Sequence, residues 1–333
     1  MPIENFQQQP QAHSEHSPCH KTESFIYTSR SLKNLMIRCR LIAAEEGPVL
    51  IQGETGTGKS HLAKILHKES NRQEFRCMEH GCGELGQALL ESALFGHTKD
   101  AYTSSSSFQK GLLAEANKGT LILNDIDLLS PEMQSKLLRF LDDGTFARLG
   151  EPGKPIVVDV RIVATSNKNL DALIKQNHFL PDLYYRLHRW RLSIPPLRQR
   201  PEDLRMLAEI FLADFQKKSA KDSQSERWYF SPDVLDLFCS MQLNGNVRDL
   251  RTAVVNIALF CEGNRHPIDL DQASKVLFDP QYKFEIGEVD DDGHLHKVLD
   301  TTRWNISLTS RITELSRTTI YKRIKENGWR EPK

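Results

Sequence analysis

Residues 53–60 read Gly53, Glu54, Thr55, Gly56, Thr57, Gly58, Lys59 and Ser60, the spacing G-x-x-x-x-G-K-[ST]. Glycines placed this way let backbone N–H groups turn inward around phosphate oxygens, and a helix starting at the lysine adds the positive end of its dipole. Lys59 carries the charge to neutralise outer phosphates, and the Ser60 hydroxyl can ligate magnesium, so the chemistry indicated is the binding of ATP with Mg2+. The flanks suit it. The apolar run VLIQ (49–52) precedes the loop and the helical pattern HLAKILHKES follows it, which a plain glycine-rich turn would not require.

Hydrolysis by such a loop needs a second strand that ends in a magnesium-holding acid, followed by a glutamate that orients the attacking water. The candidate run is Leu121, Ile122, Leu123, Asn124, Asp125. It places Asn124 at the magnesium position, where a neutral amide oxygen is a weaker ligand for a hard cation than a carboxylate. Shifting the job to Asp125 fails, because a one-residue slip turns the side chain to the other face of the strand. Asp125 therefore takes the water-orienting position, one methylene short, and hydrolysis is expected to be impaired.

The elements that must position these residues alternate. VLIQ, TLIL (120–123) and VDVRIVAT (158–165) read as strands buried on both faces, with helices between them. One helix is fully punctuated: Ser130 as cap, Pro131 in the first turn and Gly144 at the close. This pattern predicts an α/β fold with a parallel sheet. After Pro195 and Pro196 amphipathic helices run to Cys261, and residues 265–293, with the acid run Asp290 to Asp292, read as a linker. Leu295, Val298 and Leu299 mark the apolar face of a further helix, Asn305 caps a second, and Ser316 caps a third that ends at Asn327 and Gly328. The last two have helix-turn-helix spacing.

Composition narrows the class. The chain has 333 residues, 39% apolar and 26% charged, with 44 Lys/Arg against 44 Asp/Glu, so no uniform field draws it to nucleic acid. The final 39 residues are the exception, with nine Lys/Arg against four acids, a local footprint for a phosphate backbone. No run approaches the ~18 apolar residues of a membrane span and the start lacks a signal-peptide plan, so a cytoplasmic protein is expected. Six cysteines without a CxxC pair suit reduced thiols. His13, His16, Cys19 and His20 lie in a polar start, residues 1–24, that reads as a mobile tail rather than a metal site.

Six further motifs in order give the chain a family resemblance. They are Leu94-Phe-Gly-His97, Lys136-Leu-Leu-Arg-Phe-Leu141, Gly144-Thr-Phe-Ala-Arg148, Asp182-Leu-Tyr-Tyr-Arg-Leu187, Pro195-Pro-Leu-Arg-Gln-Arg200 and Gly245-Asn-Val-Arg-Asp-Leu250. With the phosphate loop they resemble the AAA+ transcription activators that act on sigma-54 RNA polymerase, from about residue 25 to the end. The resemblance implies an AAA+ α/β subdomain (25–195), a helical lid (196–264), the linker (265–293) and a small all-α Fis-type helix-turn-helix domain (294–333). It resembles the short members without a receiver domain. It also implies roles: Asn167 and Arg248 sense the nucleotide, Arg186 reaches a neighbouring subunit's γ-phosphate, and Tyr102 and Thr103 contact the sigma factor. On the third helix Arg317, Thr318 and Thr319 meet base edges while Tyr321, Lys322 and Arg323 lie near phosphates.

Departures fall on the working parts. The loop that reads GAFTGA in the family is Asp100-Ala-Tyr-Thr-Ser-Ser105 here, the switch asparagine lines up with Gly81, and the first arginine finger with Leu180. Two functions follow. One is a sigma-54-type regulator that binds double-stranded DNA upstream of a promoter, binds ATP, and assembles from dimer to ring or in a mixed ring with a related subunit. The other is a sigma-54-independent DNA-binding activator or repressor that uses ATP only as a structural or sensory ligand.

Overall fold

The structure is a computed structural model and describes residues 25–99, 108–151, 153–219, 228–261, 267–277, 292–302, 304–313 and 315–330. Seven strands are present among them: β1 (Val49–Gln52), β2 (Cys77–Gly81), β3 (Thr120–Asn124), β4 (Thr145–Phe146), β5 (Ile156–Val157), β6 (Arg161–Ser166) and β7 (Trp190–Ser193). Five form one sheet in the order β2-β3-β6-β1-β7, and β4 pairs with β5 in a separate antiparallel ribbon. The pairs β2/β3 and β3/β6 are parallel, with Gly81 opposite Asn124 and Leu123 opposite Ala164. Parallel neighbours need crossovers, which the intervening helices supply. The chain is thus an α/β fold with parallel strand pairs at the centre of its sheet.

The expected strand at 158–165 is split in two. Residues 156–157 pair with β4, Val158 N–H donates to the Gly144 carbonyl, and only from Arg161 does the chain join the main sheet. β2 and β7 carried no apolar run to announce them. β2 buries His80 beside Cys77 and Met78, so its burial exceeds its hydrophobicity.

Contacts divide the chain into two compact units. In the described part of the first, Arg40–Ile51 and Ser60–Arg191, the core gathers Leu121, Leu123, Ile162, Ala164, Leu137, Phe140 and Leu183. Each buried Leu, Ile or Phe among them contributes about 1.5–3 kcal/mol. The helix Pro131–Asp143 begins and ends as its sequence signals, with Ser130 Oγ accepting from Met133 N–H and Gly144 in the left-handed region at φ 67°. Cys39, Cys77, Cys82 and Cys261 are buried as thiols rather than disulfides.

The second unit, in its described part, joins residues 25–39, Gln52–Lys59 and the chain from Leu192. Its core packs Leu204, Leu237, Phe238, Leu250 and Ile257 from the helices Pro201–Ser219, Pro232–Ser240 and Val247–Phe260. Within the segment read as a linker, Leu270–Leu277 is a helix. Asp269 and Gln272 cap it reciprocally at 2.9 and 3.1 Å, and Ala273, Val276 and Leu277 are buried at helical spacing, which is why it folds. The helices Asp292–Thr301, Ile306–Thr313 and Arg317–Glu326 close the chain around Leu295, Leu299 and Ile320. No helix among the described residues is long and apolar enough to cross a membrane.

Candidate functional site

The phosphate loop lies between β1 and the helix Lys59–Lys68. Gly53, Gly56 and Gly58 have φ of 159°, 73° and 105°. The two left-handed values are open to glycine at no steric cost. A Cβ on Gly56 would stand 1.9 Å from the Gly245 carbonyl oxygen, so that glycine also permits a close backbone approach. Lys59 Nζ donates to the Gly53 and Glu54 carbonyls at 2.9 and 3.0 Å, which closes the loop upon itself. Thr57, buried, donates through Oγ1 to the Glu54 carbonyl.

Three side chains from the helical part hold this loop. Asn246, buried and at φ 52°, donates from Nδ2 to the Thr55 carbonyl and to Glu54 Oε2, and accepts Leu197 N–H on Oδ1 at 2.7 Å. Arg198 grips Glu54 with two hydrogen bonds of 2.7 and 2.6 Å. These bonds hold the Glu54 carboxyl below its ordinary pKa, against the smaller opposing effect of burial. Arg200, 1% exposed, donates to the Thr57 carbonyl. Burial pulls its pKa down and Asp203 opposes that. Asp203 in turn accepts from Thr28 and Ser29 N–H and from Ser29 Oγ. Arg248 is exposed at the start of the helix Val247–Phe260, and its Cβ lies 3.4 Å from where a Gly56 Cβ would be. None of Asn246, Arg198 or Arg200 was a candidate from sequence. Their only signal was membership of two of the family motifs, since each meets the loop across more than 140 residues.

In the first unit Ser60 Oγ donates to Asn124 Oδ1 at 2.9 Å, and Thr165 Oγ1 donates to the same atom at 3.1 Å. Asn124 Nδ2 donates to Glu79 Oε1 at 2.7 Å, and Lys64 Nζ lies 2.7 Å from Glu79 Oε2. Ser60 Oγ and Asn124 Oδ1 are neighbouring hard oxygens of the kind magnesium takes, so the donor set fits that ion, without a negative charge from position 124. Asp125 sits in the left-handed region at φ 54°, and Asn167 Nδ2 donates to its Oδ1 at 3.3 Å. Burial, joined by the negative charge of Asp125, Asp127 and Glu84, pushes the Cys82 thiol up to about 12.

Gly81 has no side chain, and the Glu84 carboxylate fills its place: a Cβ there would meet Glu84 Oε1 at 2.4 Å. Leu180 packs at the core edge and donates its N–H to Gln134 Oε1. Arg186 is exposed and tied to the end of the helix Pro131–Asp143, donating to the Leu141 carbonyl and pairing with Asp142 at 3.1 Å. Tyr102 and Thr103 lie outside the described residues, as do His13, His16, Cys19 and His20. On the helix Arg317–Glu326, Arg317, Thr318, Tyr321 and Lys322 are exposed and Ile320 is buried, Thr319 bonds the capping Ser316, and Arg323 is half-buried.

The sigma-54 interaction domain family matches residues 25–193, and the AAA+ ATPase lid domain family matches residues 198–278. The Nif-specific regulatory protein of Rhodobacter capsulatus is 37% identical over 241 residues, 72% of this chain and 41% of that protein. The HTH-type transcriptional regulatory protein TyrR of Enterobacter agglomerans is 35% identical over 282 residues, 84% of this chain and 52% of that protein. The chain thus spans about half or less of the length of these relatives. NtrX from Brucella abortus, in a crystal structure in complex with ATP, superposes with a TM-score of 0.70 over 92% of this chain and 70% of its own at 24% identity, a likeness of fold. Matched over half its length by the first of these families and then by the lid, the chain belongs to the sigma-54 interaction domain family of AAA+ transcription regulators.

Proposed function

We propose that this protein is a DNA-binding transcription regulator that binds ATP with magnesium and acts, as an oligomer, on promoter-bound sigma-54 RNA polymerase. The observation that carries it is the loop at 53–60, with glycines at positive φ and a lysine and serine at the start of a helix. In this reading Gly53, Glu54, Thr55, Gly56, Thr57 and Gly58 cradle the phosphates through their backbone and Lys59 neutralises them. Magnesium, when bound, would screen the outer phosphate oxygens, held by Ser60 with Asn124 beside it. Asn167 and Arg248 report the nucleotide's state, and Arg186 serves a neighbouring subunit of a dimer, ring or mixed ring. Tyr102 and Thr103 contact the sigma factor. The three C-terminal helices form a helix-turn-helix domain that reads double-stranded DNA in paired half-sites, which accords with the name of the TyrR relative.

Turnover is expected to be low. Asn124 supplies no charge, Asp125 is one methylene short and is engaged by Asn167, and Leu180 leaves one finger missing. A second reading, ATP as a structural or sensory ligand only, is favoured by one observation: Arg186 is bonded within its own chain, to Leu141 and Asp142.

ATP binding and ATP turnover, measured on the same purified protein across a concentration range with and without DNA, separate the two. Binding with turnover that rises with protein concentration supports the working ring. Binding without turnover supports the nucleotide-held regulator, and no binding rejects both.

A further inference from the structure

The amide of Asn124 faces two different neighbourhoods. On one side stand the Ser60 and Thr165 hydroxyls, which can donate or accept and so accommodate either end of an amide. On the other stands Glu79, a carboxylate that only accepts, 2.7 Å away. Strand register puts it there: Gly81 lies opposite Asn124 in the parallel β2/β3 pair, and Glu79, two residues earlier, points to the same face. Lys64, one turn beyond Ser60 on the helix Lys59–Lys68, holds the far oxygen of Glu79 at 2.7 Å.

We propose that Glu79 is the positioning residue for Asn124: it claims the amide nitrogen and so turns the amide oxygen toward Ser60. The charge is thereby moved one residue back from the site. Glu79 holds the negative charge against Lys64, and Asn124 presents a neutral oxygen with a fixed direction. A carboxylate at 124 would instead face Glu79 acceptor to acceptor, with no hydrogen between them. Asn124 and Glu79 therefore form one unit, in which a carboxylate at 124 requires a donor at 79. The proposal's functional consequence rests on the magnesium–ATP reading, whereas the pairing itself does not.

A ligand-free test comes first. Thermal unfolding of Asn124→Asp should fall by several degrees, Glu79→Gln should stay near the parent because an amide oxygen still accepts, and Asn124→Asp/Glu79→Gln should recover most of the loss by reversing donor and acceptor. Equal midpoints for Asn124→Asp and the double variant would overturn the proposal. The second test compares ATP affinity with and without magnesium. Removing the acceptor in Glu79→Ala should shrink the magnesium-dependent gain by about ten- to a hundredfold, as for other residues that orient a ligand, and leave magnesium-free affinity unchanged. Glu79→Gln should retain the gain. An unchanged gain in Glu79→Ala would also overturn the proposal. If the parent protein binds no ATP at all, the functional reading fails, and the unfolding series still decides the pairing.

Discussion

Asn124, on sequence alone, is a magnesium acid lost to substitution. With Glu79 beside it, it becomes half of a donor–acceptor pair, and the obvious repair, Asn124→Asp with Asp125→Glu, meets a carboxylate 2.7 Å from the restored one. Gly56 shows the same dependence of one residue on distant backbone. Its φ of 73° and the 1.9 Å gap between a Cβ and the Gly245 carbonyl leave nothing flexible to move aside. Gly56→Ala is expected to cost about 2–4 kcal/mol, from overpacking plus the left-handed backbone. Urea unfolding measures it, with Gly153→Ala, where a Cβ meets nothing within 4 Å, as the control expected within about 0.5 kcal/mol.

Among the elements, the helix Arg317–Glu326 has the cleanest division of labour. Ser316 caps it and Ile320 anchors it, while Arg317, Thr318, Tyr321 and Lys322 stand exposed. If it reads DNA, Arg317→Ala should weaken operator binding by about 1–3 kcal/mol and blur sequence preference, while Lys322→Ala weakens all sequences alike and lowers the salt slope by about one. Fluorescence anisotropy with operator and scrambled duplexes at several salt concentrations measures both. Equal loss from both changes on every sequence would remove the helix as a reader. Lys322 already shares its charge with Glu326 at 3.7 Å, an exposed pair worth little and easily given up to a phosphate.

At the scale of the whole molecule, the phosphate loop belongs to the same compact unit as the helices that bond it, through Asn246, Arg198 and Arg200. A ligand on that loop stabilises the chain by mass action. ATP at a hundred times its Kd should raise unfolding stability by about 2.7 kcal/mol, read as a concentration-dependent rise in Tm. Asn246→Ala should reduce that rise by weakening affinity, because two loop contacts go with one side chain. An Asn246→Ala protein with the parent's ATP response would show that the lid does not shape the loop.

Sequence by itself determined what is local. The phosphate loop, the β1 and β3 runs, the Ser130, Gly144 and Ser316 helix signals and the basic C-terminal stretch each depend on residues within a few positions of one another. It missed β2, where Glu79 and His80 break the apolar pattern, and the helix Leu270–Leu277, whose Asp-x-x-Gln capping signal was present but short. Only the tertiary structure decided which way the Asn124 amide faces and what fixes the loop. Those partners lie 45 to nearly 200 residues away, and strand register and helix packing, not sequence spacing, bring them within hydrogen-bond range.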